Sequence, residues 1–152
     1  MLNQLLWYIY LLLLIVAVGP NVTNAIWIQR AMTNRAALPF TLQGIKVIHD
    51  RIVMPATGLI LITWIAMVFT SSQSLQIPWV LLVAIFWLVV FLLGLFGYTP
   101  TLRKQIAIAE STGADSDEYK SAAWRGTIIG IAIGVIVLLI ILLMAFQPEL
   151  WG

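Results

Sequence analysis

The stretch Lys46-Val47-Ile48-His49-Asp50-Arg51 leads directly into Ile52-Val53-Met54-Pro55-Ala56-Thr57-Gly58, and from there to Thr70 the chain carries no charge. About 19 residues of helix at 1.5 Å each reach about 28 Å, close to the ~30 Å of a bilayer's hydrocarbon core. Ile52–Thr70 therefore reads as a membrane-spanning helix with a charged cluster at its entrance. The cluster holds the only histidine of the chain.

Three further segments of the same kind flank it. Leu5–Ile28 precedes it; Pro78–Tyr98 and Gly126–Phe146 follow. The 152 residues are 62% hydrophobic and 9% charged, where a soluble domain carries about 25% charge. A chain this short has too little interior to hide that much apolar surface from water. The expected fold is an all-α membrane protein, a bundle of four transmembrane helices forming a single domain over residues 1–152. Met1–Gln4 has no Lys or Arg, so Leu5–Val18 reads as part of a retained first helix rather than a signal peptide.

Charge placement sets the expected orientation. All eight Lys and Arg residues fall in the two long connections, Gln29–Arg51 and Thr99–Arg125, and none in Met1–Gln4, Ser71–Gln76 or Gln147–Gly152. By the positive-inside rule both long connections are cytoplasmic and both termini lie outside, as expected for an inner (plasma) membrane protein. Basic residues at the inner face also imply attraction to anionic lipid. Trp7, Tyr8, Trp79 and Trp151 fit an outer aromatic belt, and Trp27, Tyr98 and Trp124 an inner one; Trp64 and Trp87 fall mid-membrane and read as packing residues.

The long connections carry helix signals of their own. Gln29–Asn34 extends the first helix, Thr41–Asp50 leads into the second, and the tip lies near Ala37-Leu38-Pro39. Thr99-Pro100 reads as a cap and first-turn proline opening a new helix to Ser111, ended by Thr112-Gly113. Asp115 with Glu118 reads as the capping arrangement of the helix running into the fourth segment. The picture is two helical hairpins projecting into the cytoplasm.

Four constellations stand out. His49-Asp50-Arg51 with Pro55 is the candidate functional cluster. Lys46 and Asp50 are four apart and can pair. Pro55 cannot bond the carbonyl of Arg51; either the backbone opens there or the helix starts near Met54. The cluster reads as interfacial snorkelling around a balancing acid, or as a haem ligand, proton relay or quinone contact at the mouth of the bundle. Haem would have one histidine, with Met54 or Met67 as a second ligand or none. Gly126, Gly130 and Gly134 form a stripe of small residues suited to close helix packing, inside the bundle or against another subunit. Asn21 and Asn24, polar at depth beside the Gly19-Pro20 kink site, read as interhelical hydrogen-bonding groups or as the lining of a solute or proton path. Asp115, Asp117 and Glu118 form a solvated helix start.

The chain has no cysteine. That excludes disulfides, thiolate metal sites, iron–sulfur clusters and cysteine nucleophiles. No catalytic set or phosphate-binding glycine loop is visible, and nothing points to nucleic acid.

Asp50-Arg51-Ile52-Val53-Met54-Pro55 with Gly58, the run from Trp87 through Leu102-Arg103-Lys104-Gln105, and the ending Met144-Ala145-Phe146-Gln147-Pro148 resemble a family of small bacterial integral membrane proteins, domain-of-unknown-function family twenty-two sixty-nine. The resemblance implies a four-helix layout and no particular activity. Distant four-helix relatives, such as the haem-linked protoporphyrinogen oxidase of bacteria, carry a histidine in the first helix; Trp7–Val18 has none, which counts against a haem role. The residues together read as a non-enzymatic membrane protein that packs with itself or serves as an accessory subunit. A redox or haem protein centred on His49, and a solute or proton pathway through Asn21, Asn24 and Asp50, are the alternatives.

Overall fold

Proline and glycine decide where these helices turn. The computed structural model describes residues 1–148, which form six α-helices joined by short turns with no strand among the described residues. They are α1 (Leu2–Thr33), α2 (Leu38–Ile48), α3 (Met54–Thr70), α4 (Pro78–Leu92), α5 (Thr99–Ser111) and α6 (Asp117–Phe146). A short 3₁₀ turn, Arg35–Ala37, reverses the chain between α1 and α2. A π turn at His49–Val53 joins α2 to α3, and a second at Leu93–Tyr98 joins α4 to α5.

Because the π turns do not interrupt the helical path, the chain makes four long rods: Leu2–Thr33, Arg35–Thr70, Pro78–Ser111 and Asp117–Phe146. Each is long and apolar enough to cross a membrane. Rods of 30 to 36 residues extend about 45–54 Å, well beyond the ~30 Å a bilayer core requires. Trp151, expected in an aromatic belt, lies outside the described residues.

Some expected caps shift. Thr99-Pro100 opens α5 with Pro100 in its first turn, as expected, but Thr99 does not cap it: Tyr98 and Thr99 are already helical, and the Thr99 hydroxyl bonds the Gly94 carbonyl at 2.9 Å. At the start of α6 the cap is Ser116, whose hydroxyl accepts the Tyr119 N–H at 3.2 Å. Asp115, expected to cap, pairs with Arg35 at the other hairpin's tip. α5 ends as expected at Thr112-Gly113, where Gly113 takes φ +91, a left-handed conformation costly for other residues. α1 runs through Gly19-Pro20, as the reading of Leu5–Ile28 as one segment has it; Asn21 Nδ2 donates to the Ala17 carbonyl at 2.9 Å beside it.

α1 packs on α3, α3 on α4, α4 on α6, and α5 on both α2 and α6. Two apolar clusters result. The first lies toward the termini and centres on Tyr10, Trp64, Trp79 and Trp87 with Val80, Val83 and Ile140. Trp64 and Trp87 are packing residues, as expected; Trp79 is also buried, edge-on to Trp64 with ring centroids 6.0 Å apart, so it packs inward and does not join an outer belt. The second cluster lies toward the hairpin tips, with Leu38, Leu42 and Ile45 against Leu102, Ile108 and Tyr119. Gln43 of α2 donates to Glu110 of α5 across the same tips. Between lipid-like surfaces such packing is held by dispersion and hydrogen bonds, because lipid tails are as apolar as leucine.

Candidate functional site

The two π turns meet between these clusters, and the reason is local. Pro55 and Pro100 have no N–H and their rings crowd the carbonyl four residues back. Widening the preceding turn relieves both problems: the Met54 N–H bonds the His49 carbonyl and the Thr99 N–H bonds the Gly94 carbonyl, each five residues back. Each wide turn then faces the other. A Cβ built on Gly94 would lie 2.8 Å from Met54 Sδ and 3.8 Å from His49 Cε1. Any larger residue would force the Met54 side chain to move.

His49 sits in this junction, 4% exposed. Its Nε2 lies 3.1 Å from Thr99 Oγ1, and that hydroxyl spends its single proton on the Gly94 carbonyl. An Nε2–H on the imidazole completes this hydrogen-bond chain, with Thr99 Oγ1 accepting from it. Its Nδ1 is buried and has no hydrogen-bond partner among the described residues. The Tyr98 ring closes the pocket at 4.8 Å between centroids. The expectation that His49 stands at the mouth of the bundle is corrected: tip packing by α2 and α5 carries the interior past it.

The rest of the expected cluster does not converge on the histidine. Asp50 pairs with Lys46 one turn earlier, as the spacing suggested. Arg51 and Pro55 are exposed. Thr99, Tyr98 and Met54, read from the sequence in other roles, complete the junction together with Gly94, which it did not single out. The recoverable signal was the pair of mid-rod prolines, each one turn beyond a potential partner for the other.

A haem on His49 would compete with packing already in place: Nε2 is bonded to Thr99, and the ring lies against Tyr98 and beside the Met54–Gly94 contact. Among the described residues no group of His, Asp or Glu side chains gathers as metal ligands.

The glycine stripe divides. A Cβ on Gly126 would come 3.2 Å from Gln105 Oε1 and 3.5 Å from Thr101 Cγ2, so Gly126 sets a close approach of α6 to α5. Gly130 and Gly134 would meet nothing within 4 Å. Asn21 and Asn24 were expected to bond between helices; Asn21 instead bonds within α1, to Ala17 O at 2.9 Å, and Asn24 Nδ2 reaches Asn21 at 3.4 Å, while Asn24 also hydrogen-bonds across to the Tyr98 hydroxyl of the second π turn.

Two clefts open on the surface. One, of about 270 Å³, lies between the second π turn, α5 and α6 and includes Lys104 and Arg125. The other, of about 360 Å³, is an apolar groove along α3 and α4, from Asp50 past Pro55 and Gly58 to Ile62 and Phe91. Neither includes His49.

The structure thus defines a class: an all-helical bundle with four rods able to span a bilayer, locked at mid-length by paired π turns. Compared with protein-family models, with curated proteins and with solved structures, the chain matches none.

Proposed function

We propose that this chain is a non-enzymatic integral membrane protein that packs with itself or serves as an accessory subunit of a larger membrane assembly. In this reading it sits in the bacterial inner membrane with both termini outside and the hairpin tips cytoplasmic. The observation that carries it is the outward placement of Gly130 and Gly134 on α6: each is bare of intrachain neighbours, and Ile131, Val135 and Leu138 stand exposed beside them. A flat strip flanked by branched side chains admits a second helix backbone closely. The eight Lys and Arg residues in the two long connections, and the resemblance to the small bacterial membrane-protein family, support the orientation and the layout.

Crosslinking in native membranes, with the oligomeric state measured in mild detergent, tests the reading. The wild-type chain is expected to crosslink to itself or to a partner. Gly130→Leu with Gly134→Leu, which meets no intrachain neighbour, should weaken that association about tenfold. A strictly monomeric protein without partners would sink the proposal.

A further inference from the structure

The cleft between α5 and α6 gathers two cations in one concave lining, Lys104 and Arg125. Like Arg30, Arg51, Arg103 and Lys120 they have no acidic partner among the described residues, whereas Arg35 and Lys46 pair with Asp115 and Asp50; what sets them apart is that two rods bring them to the same cleft. They come from two antiparallel rods, so the cleft juxtaposes like charges that an anion would relieve. Ser121, also lining the cleft, adds a hydroxyl donor on the α6 turn before Arg125. The Thr101 hydroxyl points away from this duty, since it donates to the Gly97 carbonyl at 2.7 Å.

The other end of the cleft is apolar. Phe96 and Ile129 line it, and Phe96 is 72% exposed. Gly97 brings the rods together there: a Cβ on it would meet Ile129 Cδ1 at 3.5 Å. From Ser121 to Ile129, and from Lys104 back to Phe96, is eight residues, about 12 Å of helix. Polar and apolar ends coincide on both rods, because one rod leaves its apolar segment as the other enters its own. Arg125 directly precedes the uncharged run 126–146 and Lys104 follows the run 78–98 by six residues, so in the membrane reading above the polar end falls on the headgroup side of the apolar end.

We propose that this cleft binds the phosphate headgroup of an anionic phospholipid, with the Arg125 guanidinium and Lys104 ammonium on the phosphate, Ser121 donating beside them, and an acyl chain along Phe96 and Ile129. The guanidinium fork matches phosphate oxygens in pairs and the ammonium adds a point charge. The inference rests on the membrane reading above and deepens it.

The test measures lipid retained by the full chain, by native mass spectrometry after purification and by thermal stabilisation on adding phosphatidylglycerol, phosphatidylcholine or inorganic phosphate. Wild-type protein should retain and be stabilised by phosphatidylglycerol over phosphatidylcholine. Lys104→Gln with Arg125→Gln should weaken this about thirtyfold, near fivefold per cation, while Arg103→Gln with Lys120→Gln, equal in charge removed but off the cleft, should change it less than about twofold. The charge-keeping swap Lys104→Arg with Arg125→Lys should retain binding, separating headgroup recognition from loss of fold. Equal losses in the two Gln pairs, no preference for the anionic lipid, or equal stabilisation by inorganic phosphate would overturn the proposal. Carbonate extraction of wild-type membranes reports separately on the membrane reading: release of the chain would defeat that reading, whereas retention with no lipid preference would defeat only this one.

Discussion

The cluster near the termini and the junction of the π turns occupy the same bundle but are held by opposite means. Around Tyr10 the polar groups of the three central rings are paired. Its hydroxyl accepts the Trp87 indole N–H at 2.9 Å and donates to Met144 Sδ at 3.0 Å, and the Trp64 N–H reaches the Val80 carbonyl at 3.3 Å. Large rings fill the rest, with Trp7, Trp64 and Trp87 all within 6.4 Å of Tyr10 between centroids. At the π turns the contact is backbone-close and directional, a chain of two hydrogen bonds from His49 through Thr99 to Gly94. It leaves one buried nitrogen unpaired. Volume holds the first region and a narrow set of geometries holds the second. The first should therefore respond to loss of size, and the second to gain of size or loss of a single hydroxyl.

Three substitutions can break or sharpen that contrast. Trp87→Ala removes a fully buried ring and strips Tyr10 of its donor; unfolding in a denaturing detergent should show a loss of about 3–5 kcal/mol, and a loss below 1 kcal/mol would deny the aromatic cluster its anchoring part. Gly94→Ala adds one carbon where Met54 Sδ already stands, and should cost about 1–3 kcal/mol. Adding Met54→Ala should recover part of that; if the double variant is as unstable as the sum of the singles, the two π turns are not in competition for this space. Thr99→Val keeps the shape but removes both hydrogen bonds of the junction, with an expected loss of about 1–2 kcal/mol. The same Thr→Val change at exposed Thr127, whose hydroxyl bonds only the Ala123 carbonyl of its own helix at 3.0 Å, should be nearly silent, and an equal effect at both positions would assign the loss to the hydroxyl–carbonyl bond rather than to His49.

The spanning rods were legible from the chain because the signal is cumulative: four long uncharged runs cannot be hidden in a protein of this size. The Lys46–Asp50 pair and the Gly113 break were equally legible, since each depends on residues within one turn. His49 was not. Its burial comes from α2 packing on α5, at residues such as Leu42 and Leu102, and nothing in the run Lys46–Arg51 records that partner. Pro55 admitted two local readings, an opened backbone or a helix start. Both hold in part: α3 starts at Met54 with Pro55 in its first turn, and the turn before it is opened into a π turn, in register with a second wide turn whose Gly94 leaves space for Met54.

The glycines of α6 divide the two kinds of information most clearly. Sequence spacing alone determined that Gly126, Gly130 and Gly134 form a stripe, because four residues exceed one helical turn only slightly. Each step nonetheless rotates the stripe by about 40°, so by Gly134 it has turned about 80° from the direction of Gly126. Which of them meets a neighbour depends on where α5 ends and how α6 leans on it. Tertiary structure decided that Gly126 lies against Thr101 and Gln105 while Gly130 and Gly134 face outward. Local chemistry and hydrophobic length are written residue by residue along one chain, but a contact needs the position of a second helix, and only the packed bundle supplies it.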